Sequence, residues 1–204
     1  MNAAFQALCA RLAVAGVPDA RFDAAELYRF VTRRDPRLDD GPTEAEAARL
    51  AALADRRAAR EPLQYILGEW DFMDFSLKVG PGVLCPRADS EVVCETAIEL
   101  LQGVPSPRVY DICAGTGCLG LGIARHVPGA DVTCVEKSPD AWPYLTANTA
   151  DSDVRTMQAD VFTYYKLLSE ECADLIISNP PYLTGSEMGA LMPETAHEPA
   201  MALD

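Results

Sequence analysis

Residues 108–120 read Arg108-Val109-Tyr110-Asp111-Ile112-Cys113-Ala114-Gly115-Thr116-Gly117-Cys118-Leu119-Gly120. The first five have the look of a buried strand. The small residues from Cys113 to Gly117 then allow a tight turn, and Leu119 to His126 carries a helical pattern. A strand that runs through a Gly-rich turn into a helix lets a ligand approach the backbone closely. Glu136 ends the next strand, where a carboxylate can accept from both hydroxyls of a ribose. The pattern is Gly-x-Gly after an aspartate, which suits a nucleoside without a pyrophosphate better than a dinucleotide. A Gly-rich turn kept only for packing is the simpler alternative.

The alternation continues downstream. Asp131–Glu136 reads as a strand, Asp140 to Asn148 as a helix opened by Ser138-Pro139, and 154–158 as a short strand. Phe162 to Leu168 reads as a helix and 173–178 as an apolar strand. Strands alternating with helices predict a parallel, doubly wound sheet. Upstream the pattern is helical. Phe5, Leu8, Cys9 and Leu12 recur at helical spacing, a second helix spans about Asp19 to Arg34, and Thr43 to Glu46 forms a capping box for a third that runs to about Arg60. A short turn from Leu63 to Leu67 ends at Gly68. Between the two regions, aromatic alternation over 69–86 predicts a hairpin. The expected fold is therefore α/β, with a helical domain at 1–68, a β-hairpin linker at 69–88 and a Rossmann-like domain at 89–204.

Asn179-Pro180-Pro181-Tyr182 follows the apolar strand directly. The prolines end the strand and stiffen the loop. They leave the Asn179 side-chain oxygen and the Pro180 carbonyl as acceptors at the carboxyl end of the sheet, where ligands bind in such folds. Two fixed acceptors orient a planar NH2 group, and Tyr182 can pack on its flat face. Asp160 can accept from an adenine amino group or simply cap the helix behind it.

Composition narrows the chemistry. The 204 residues hold 17 Lys plus Arg and 31 Asp plus Glu, a formal net charge of −14. Residues 76–204 hold only seven scattered basic side chains, which argues against a nucleic-acid substrate. The seven cysteines are at 9, 85, 94, 113, 118, 134 and 172, with no Cys-x-x-Cys pair. Neither a disulfide framework nor a metal site is expected, and a reducing cytoplasm fits this usage. No apolar run is long enough for a membrane span, and a monomer is expected.

With these residues placed, the chain resembles class I S-adenosylmethionine-dependent methyltransferases acting on an amino or amide nitrogen. Residues 61–68, Glu-Pro-Leu-Gln-Tyr-Ile-Leu-Gly, together with Phe72 and the run from Val83 to Glu91, narrow the resemblance to the bacterial peptide chain release factor N5-glutamine methyltransferases. So do Leu191-Met192-Pro193-Glu194 and the run from His197 to Leu203. The resemblance implies methylation of the glutamine amide in the Gly-Gly-Gln motif of a release factor, docked by the N-terminal helices. It implies that Asp111, Cys113, Ala114, Gly115, Thr116, Gly117, Glu136, Asp160, Val161 and Asn179 hold S-adenosyl-L-methionine. Asn179, Pro180, Pro181 and Tyr182 would be catalytic and would grip the amide, with Arg87 at the mouth of the site.

Some residues depart from the family pattern. Cys113 and Ala114 stand where Gly and Thr are common, Val161 where an aromatic residue is common, and Ala88-Asp89-Ser90 where a Pro-Glu-Thr-like run is common. The rival readings are a ribosomal-protein glutamine methyltransferase, an adenine-N6 methyltransferase and an inactive cofactor-binding fragment. The resembling fold has seven strands, and 22 residues follow Tyr182. Three more strands need roughly 60–80 residues. A missing C-terminal part is therefore expected, leaving 173–178 as a long apolar edge strand.

Overall fold

The computed structural model describes residues 2–184 and 192–203, which form two compact units. The first comprises residues up to Gly68 plus Met192–His197. Its helices are α1 (Ala3–Val14), α2 (Ala20–Thr32), α3 (Glu44–Ala58) and α4 (Leu63–Leu67). The apolar positions read from the sequence form its core, with Phe5, Leu12, Leu27 and Tyr28 almost wholly buried. The Phe5 and Tyr28 rings meet edge to face, 6.1 Å apart. Asn2 caps α1 by accepting from the Phe5 amide at 2.8 Å, and its own amide donates to the Tyr28 hydroxyl at 3.0 Å. The capping box of α3 forms reciprocally between Thr43 and Glu46. Gly68, at φ 79°, closes α4 in the left-handed region that glycine tolerates best.

A buried ionic cluster ties Met192–His197 into this unit. Arg57 donates to Asp23 at 2.6 Å and to Glu194 at 2.8 Å, and Arg60 grips Glu194 through two nitrogens at 2.8 and 2.6 Å. Burial alone would raise the Glu194 pKa. The hydrogen bonds from Arg60 and Arg57 outweigh it and hold the carboxyl at about 2.

The second unit opens with an antiparallel hairpin, β1 (Glu69–Phe72) and β2 (Phe75–Lys78), paired from Glu69↔Lys78 to Phe72↔Phe75. After α5 (Ala88–Leu100) come β3 (Arg108–Ile112), α6 (Cys118–His126), β4 (Asp131–Glu136), α7 (Trp142–Thr149) and β5 (Arg155–Gln158). The last elements are α8 (Val161–Tyr164) and β6 (Leu175–Ser178). The sheet is wholly parallel, in the order β5-β4-β3-β6. The chain adds strands on one side of β3 and then crosses to the other, which places a ligand crevice at the carboxyl ends beside β3.

Val109, Ile123, Cys134 and Leu145 lie at the centre of the core. Burying each large aliphatic side chain there stabilises the fold by roughly 1.5–3 kcal/mol. A methyl group at Gly120 would collide with the Cys134 thiol, so α6 packs on the sheet at a distance only glycine permits.

Two expectations need correction. The helix expected over Phe162–Leu168 is a single α-turn followed by a 3₁₀ turn at Tyr165–Leu167. Phe162 is 75% and Leu167 81% exposed, so no packing offsets the cost of extending the helix. The apolar edge strand is also shorter than expected. Only four residues of β6 pair with β3, although Ile176 is 66% exposed.

Candidate active site

The loop after β3 is built by three residues of positive φ, Cys113 at 60°, Gly115 at 55° and Gly117 at 82°. A hydrogen bond from the Gly117 amide to the Ala114 carbonyl, 2.7 Å, closes the turn. Left-handed backbone costs a residue with a Cβ roughly 1–2 kcal/mol, so Cys113 holds its place under strain. Glu136 joins this loop to the one after β4. One carboxylate oxygen accepts from the Gly115 amide at 2.7 Å, and the other accepts from the Ser138 amide at 2.6 Å. Each oxygen keeps a lone pair for a further donor.

These loops bound a cavity of about 360 Å³, within the usual range of cofactor sites. Cys113, Ala114, Gly115 and Thr116 line it on one side, Glu136, Asp160 and Val161 on another, and Asn179 and Pro181 on a third. A Cβ built on Gly115 would meet only Val83, at 3.7 Å, so the loop backbone faces open space. Asp160 takes the capping role, accepting from the Phe162 amide at 2.9 Å at the start of α8, and also borders the cavity. Lys137 donates to it at 2.9 Å, and that bond, with the Phe162 amide, lowers its carboxyl below the usual value.

Asp111 and Gly117 are not among the residues lining the cavity. Asp111 is fully buried under the loop, where it accepts from the Gly120 amide at 2.9 Å. Its other oxygen has no partner among the described residues. Burial pushes its carboxyl up to about 7. The sequence expectation placed Asp111 against the cofactor; the structure makes it an anchor for the start of α6. Gly117 packs below the loop as well, where a Cβ would strike Leu145 at 2.7 Å.

The Asn179 side chain makes no hydrogen bond among the described residues. Asn179 lines both the large cavity and a second recess of about 60 Å³, shared with Arg87, Leu84, Tyr182, Leu183 and Leu203. The amides of Tyr182 and Leu183 donate to the Leu203 carbonyl, which pins the loop from the far side. Pro180 and Tyr182 are exposed, Tyr182 by 76%.

Sequence reasoning gave Glu198 no role. Its buried carboxylate takes the Arg87 guanidinium at 2.6 Å and the Cys85 amide at 3.3 Å, and so aligns Arg87 along the recess. An acidic residue followed by proline near the end of the chain was the only signal for it. Leu191, part of the quoted resemblance, lies outside the described residues.

Residues 3–68 match the family model described as PrmC N-terminal domain, and residues 81–200 match the Methyltransferase small domain. A protein of Streptomyces coelicolor named release factor glutamine methyltransferase is 39% identical over 95% of this chain and 70% of its own length. One of the same name from Mycolicibacterium smegmatis is 40% identical over all of this chain and 73% of its own. A solved 16S rRNA N2 G1207 methyltransferase of T. thermophilus is 25% identical over 64% of this chain and 38% of that chain, with a TM-score of 0.47. Two family models that divide the sequence at the helical and parallel-sheet regions, and relatives matched over most of both lengths, lead to one conclusion: the chain belongs to the release factor glutamine methyltransferase family.

Proposed function

We propose that the protein transfers a methyl group from S-adenosyl-L-methionine to the side-chain amide nitrogen of the glutamine in the Gly-Gly-Gln motif of peptide chain release factors. One observation carries this reading: Asn179, an amide with unspent hydrogen-bonding capacity, stands in the wall shared by a cofactor-sized cavity and a side-chain-sized recess.

The cavity fits the cofactor. Gly115 presents bare backbone, Glu136 presents free lone pairs where a ribose diol would bind, and Asp160 is held ionised where an amino group would sit. When bound, the cofactor supplies a sulfonium methyl for in-line transfer. The rest falls to the chain's own residues. The Asn179 side-chain oxygen and the Pro180 carbonyl accept from the two N–H bonds of the target amide, which fixes its plane and favours electron density on nitrogen. Tyr182 covers the flat face. Arg87, held by Glu198, borders the recess that receives the side chain.

No histidine is assigned to proton removal. His126 is tied to the Gly122 carbonyl at 2.8 Å, and His197 lies in the 3₁₀ turn of the helical unit. The proton leaves the alkylated nitrogen for water.

In this reading residues 1–68 dock the protein substrate, 69–88 link, and 89–204 carry the methyltransferase site. The protein works as a cytoplasmic monomer without nucleic acid. No helix among the described residues is long and apolar enough to cross a membrane. The test is transfer of labelled methyl to intact release factor, to a Gly-Gly-Gln peptide, to ribosomal protein and to adenine-containing DNA. Label on the release-factor glutamine alone is the expected result, and label on either of the last two would replace this reading.

A further inference from the structure

The helical unit carries its positive charge unusually. All ten cations in residues 1–68 are arginines. Arg11, Arg29, Arg34, Arg56, Arg57 and Arg60 each meet a carboxylate of the same unit, and Arg21 has contacts of its own. Arg33, Arg37 and Arg49 have no acidic partner among the described residues. Two of these converge on one ring. The Arg33 guanidinium lies 5.5 Å and that of Arg49 5.3 Å from the centroid of Phe30, so the two are at most 10.8 Å apart. Arg33 is the residue that ends α2, and its φ of 59° turns the chain sharply there. Arg49 comes from α3, so the cluster straddles two helices.

A guanidinium held over a ring by cation–π attraction still has N–H groups to offer a partner. It is also restrained before a partner arrives, which lowers the entropy cost of binding. Two such groups, at most 10.8 Å apart, suit two carboxylates close together on one segment of a partner, each taken bidentately. A phosphate backbone fits less well. It needs a longer cationic track, and the chain as a whole has a net charge of −14.

We propose that Arg33 and Arg49, braced on Phe30, form the docking surface for an acidic segment of the methyl-acceptor protein. This rests on the functional reading above and names the part of the helical unit that engages the substrate.

The test is the double variant R33E/R49E in the full chain, assayed on intact release factor and on a free Gly-Gly-Gln peptide. The expected result is a KM for the intact protein raised about 10-fold, with kcat and the peptide kinetics unchanged. R33K/R49K, which keeps the charge but loses the fork, should give a smaller rise. Unchanged unfolding temperature and cofactor affinity in both variants confirm that the fold is intact. An unchanged KM for the intact protein overturns the proposal. If the wild-type chain methylates neither substrate, the functional reading fails, and binding of poly-L-glutamate then decides the surface. Binding lost in R33E/R49E supports it; equal binding, or charge-dependent binding of poly(U) RNA instead, overturns it.

Discussion

The loops after β3 and β6 leave the same end of one sheet, yet their backbones differ in what they can offer. Cys113–Gly117 is a donor loop. Its amides point to the Glu136 carboxylate and to the Ala114 carbonyl, and positive φ at three positions makes those directions possible. Asn179–Tyr182 is an acceptor loop. Pro180 and Pro181 have no N–H, so that stretch of backbone offers only carbonyl oxygens, flanked by the Asn179 amide and the Tyr182 hydroxyl. A carboxylate held by the first loop with lone pairs to spare suits a polyhydroxylated ligand that donates. Carbonyls at Pro180 and Pro181, with no N–H beside them, suit a group that brings N–H bonds, such as a carboxamide. In the proposed reaction the two chemistries would fall to two loops on adjacent strands.

Substitutions can break this division. Asn179→Ala removes the acceptor loop's side chain and should lower kcat/KM about 10²–10³-fold in a labelled-methyl assay, with cofactor affinity by calorimetry nearly unchanged. A variant that instead loses cofactor binding would show that the two loops do not act separately.

Glu136→Gln strikes the donor side. It replaces two charge-assisted bonds from main-chain amides with weaker ones and turns one oxygen into a donor facing a donor. Cofactor affinity should fall roughly 10–100-fold. Transfer at saturating cofactor should fall much less.

Two carboxylates sharpen the contrast through pH. Asp111 titrates near 7 in the fold, above its ordinary 3.8. The folded state therefore binds more protons than the unfolded chain between those values, and this group's contribution weakens as pH rises from about 4 to 7. Glu194 titrates near 2 against an ordinary 4.5, so its contribution is present above about 4.5 and is lost as pH falls toward 2. Thermal unfolding across pH should show Asp111→Asn flattening the profile on the neutral side. Glu194→Gln should flatten it on the acid side.

The smallest effect expected is at Cys113. Replacing it with Gly relieves left-handed strain while making the unfolded chain more flexible. A net gain under about 1 kcal/mol, or a rise of roughly 2 °C in unfolding temperature, is expected. A drop would mean that the thiol itself supports the loop.

Much of this was legible in the sequence because it follows from periodicity and small residues. The βα alternation, the capping box at Thr43 and the stop at Gly68 are local signals, and each appears where the pattern placed it. Which way Asp111 points is not legible in a local pattern; its burial beneath the start of α6 shows in the fold alone. Phe162–Leu168 was misread because helical spacing of apolar residues implies a packing partner, and no partner buries them here. The grips of Glu194 and Glu198 join residues more than a hundred positions apart, beyond the reach of any local pattern.

The way Glu136 fastens two loops has an evolutionary consequence. Both of its partners are main-chain amides, which every residue but proline supplies. The carboxylate is bound to its neighbours' positions and not to their identities. The side chains of Cys113, Ala114 and Lys137 take no part in the joint, so a substitution there that suits the positive φ of Cys113 and the burial of Ala114 alters the cavity wall without removing either bond.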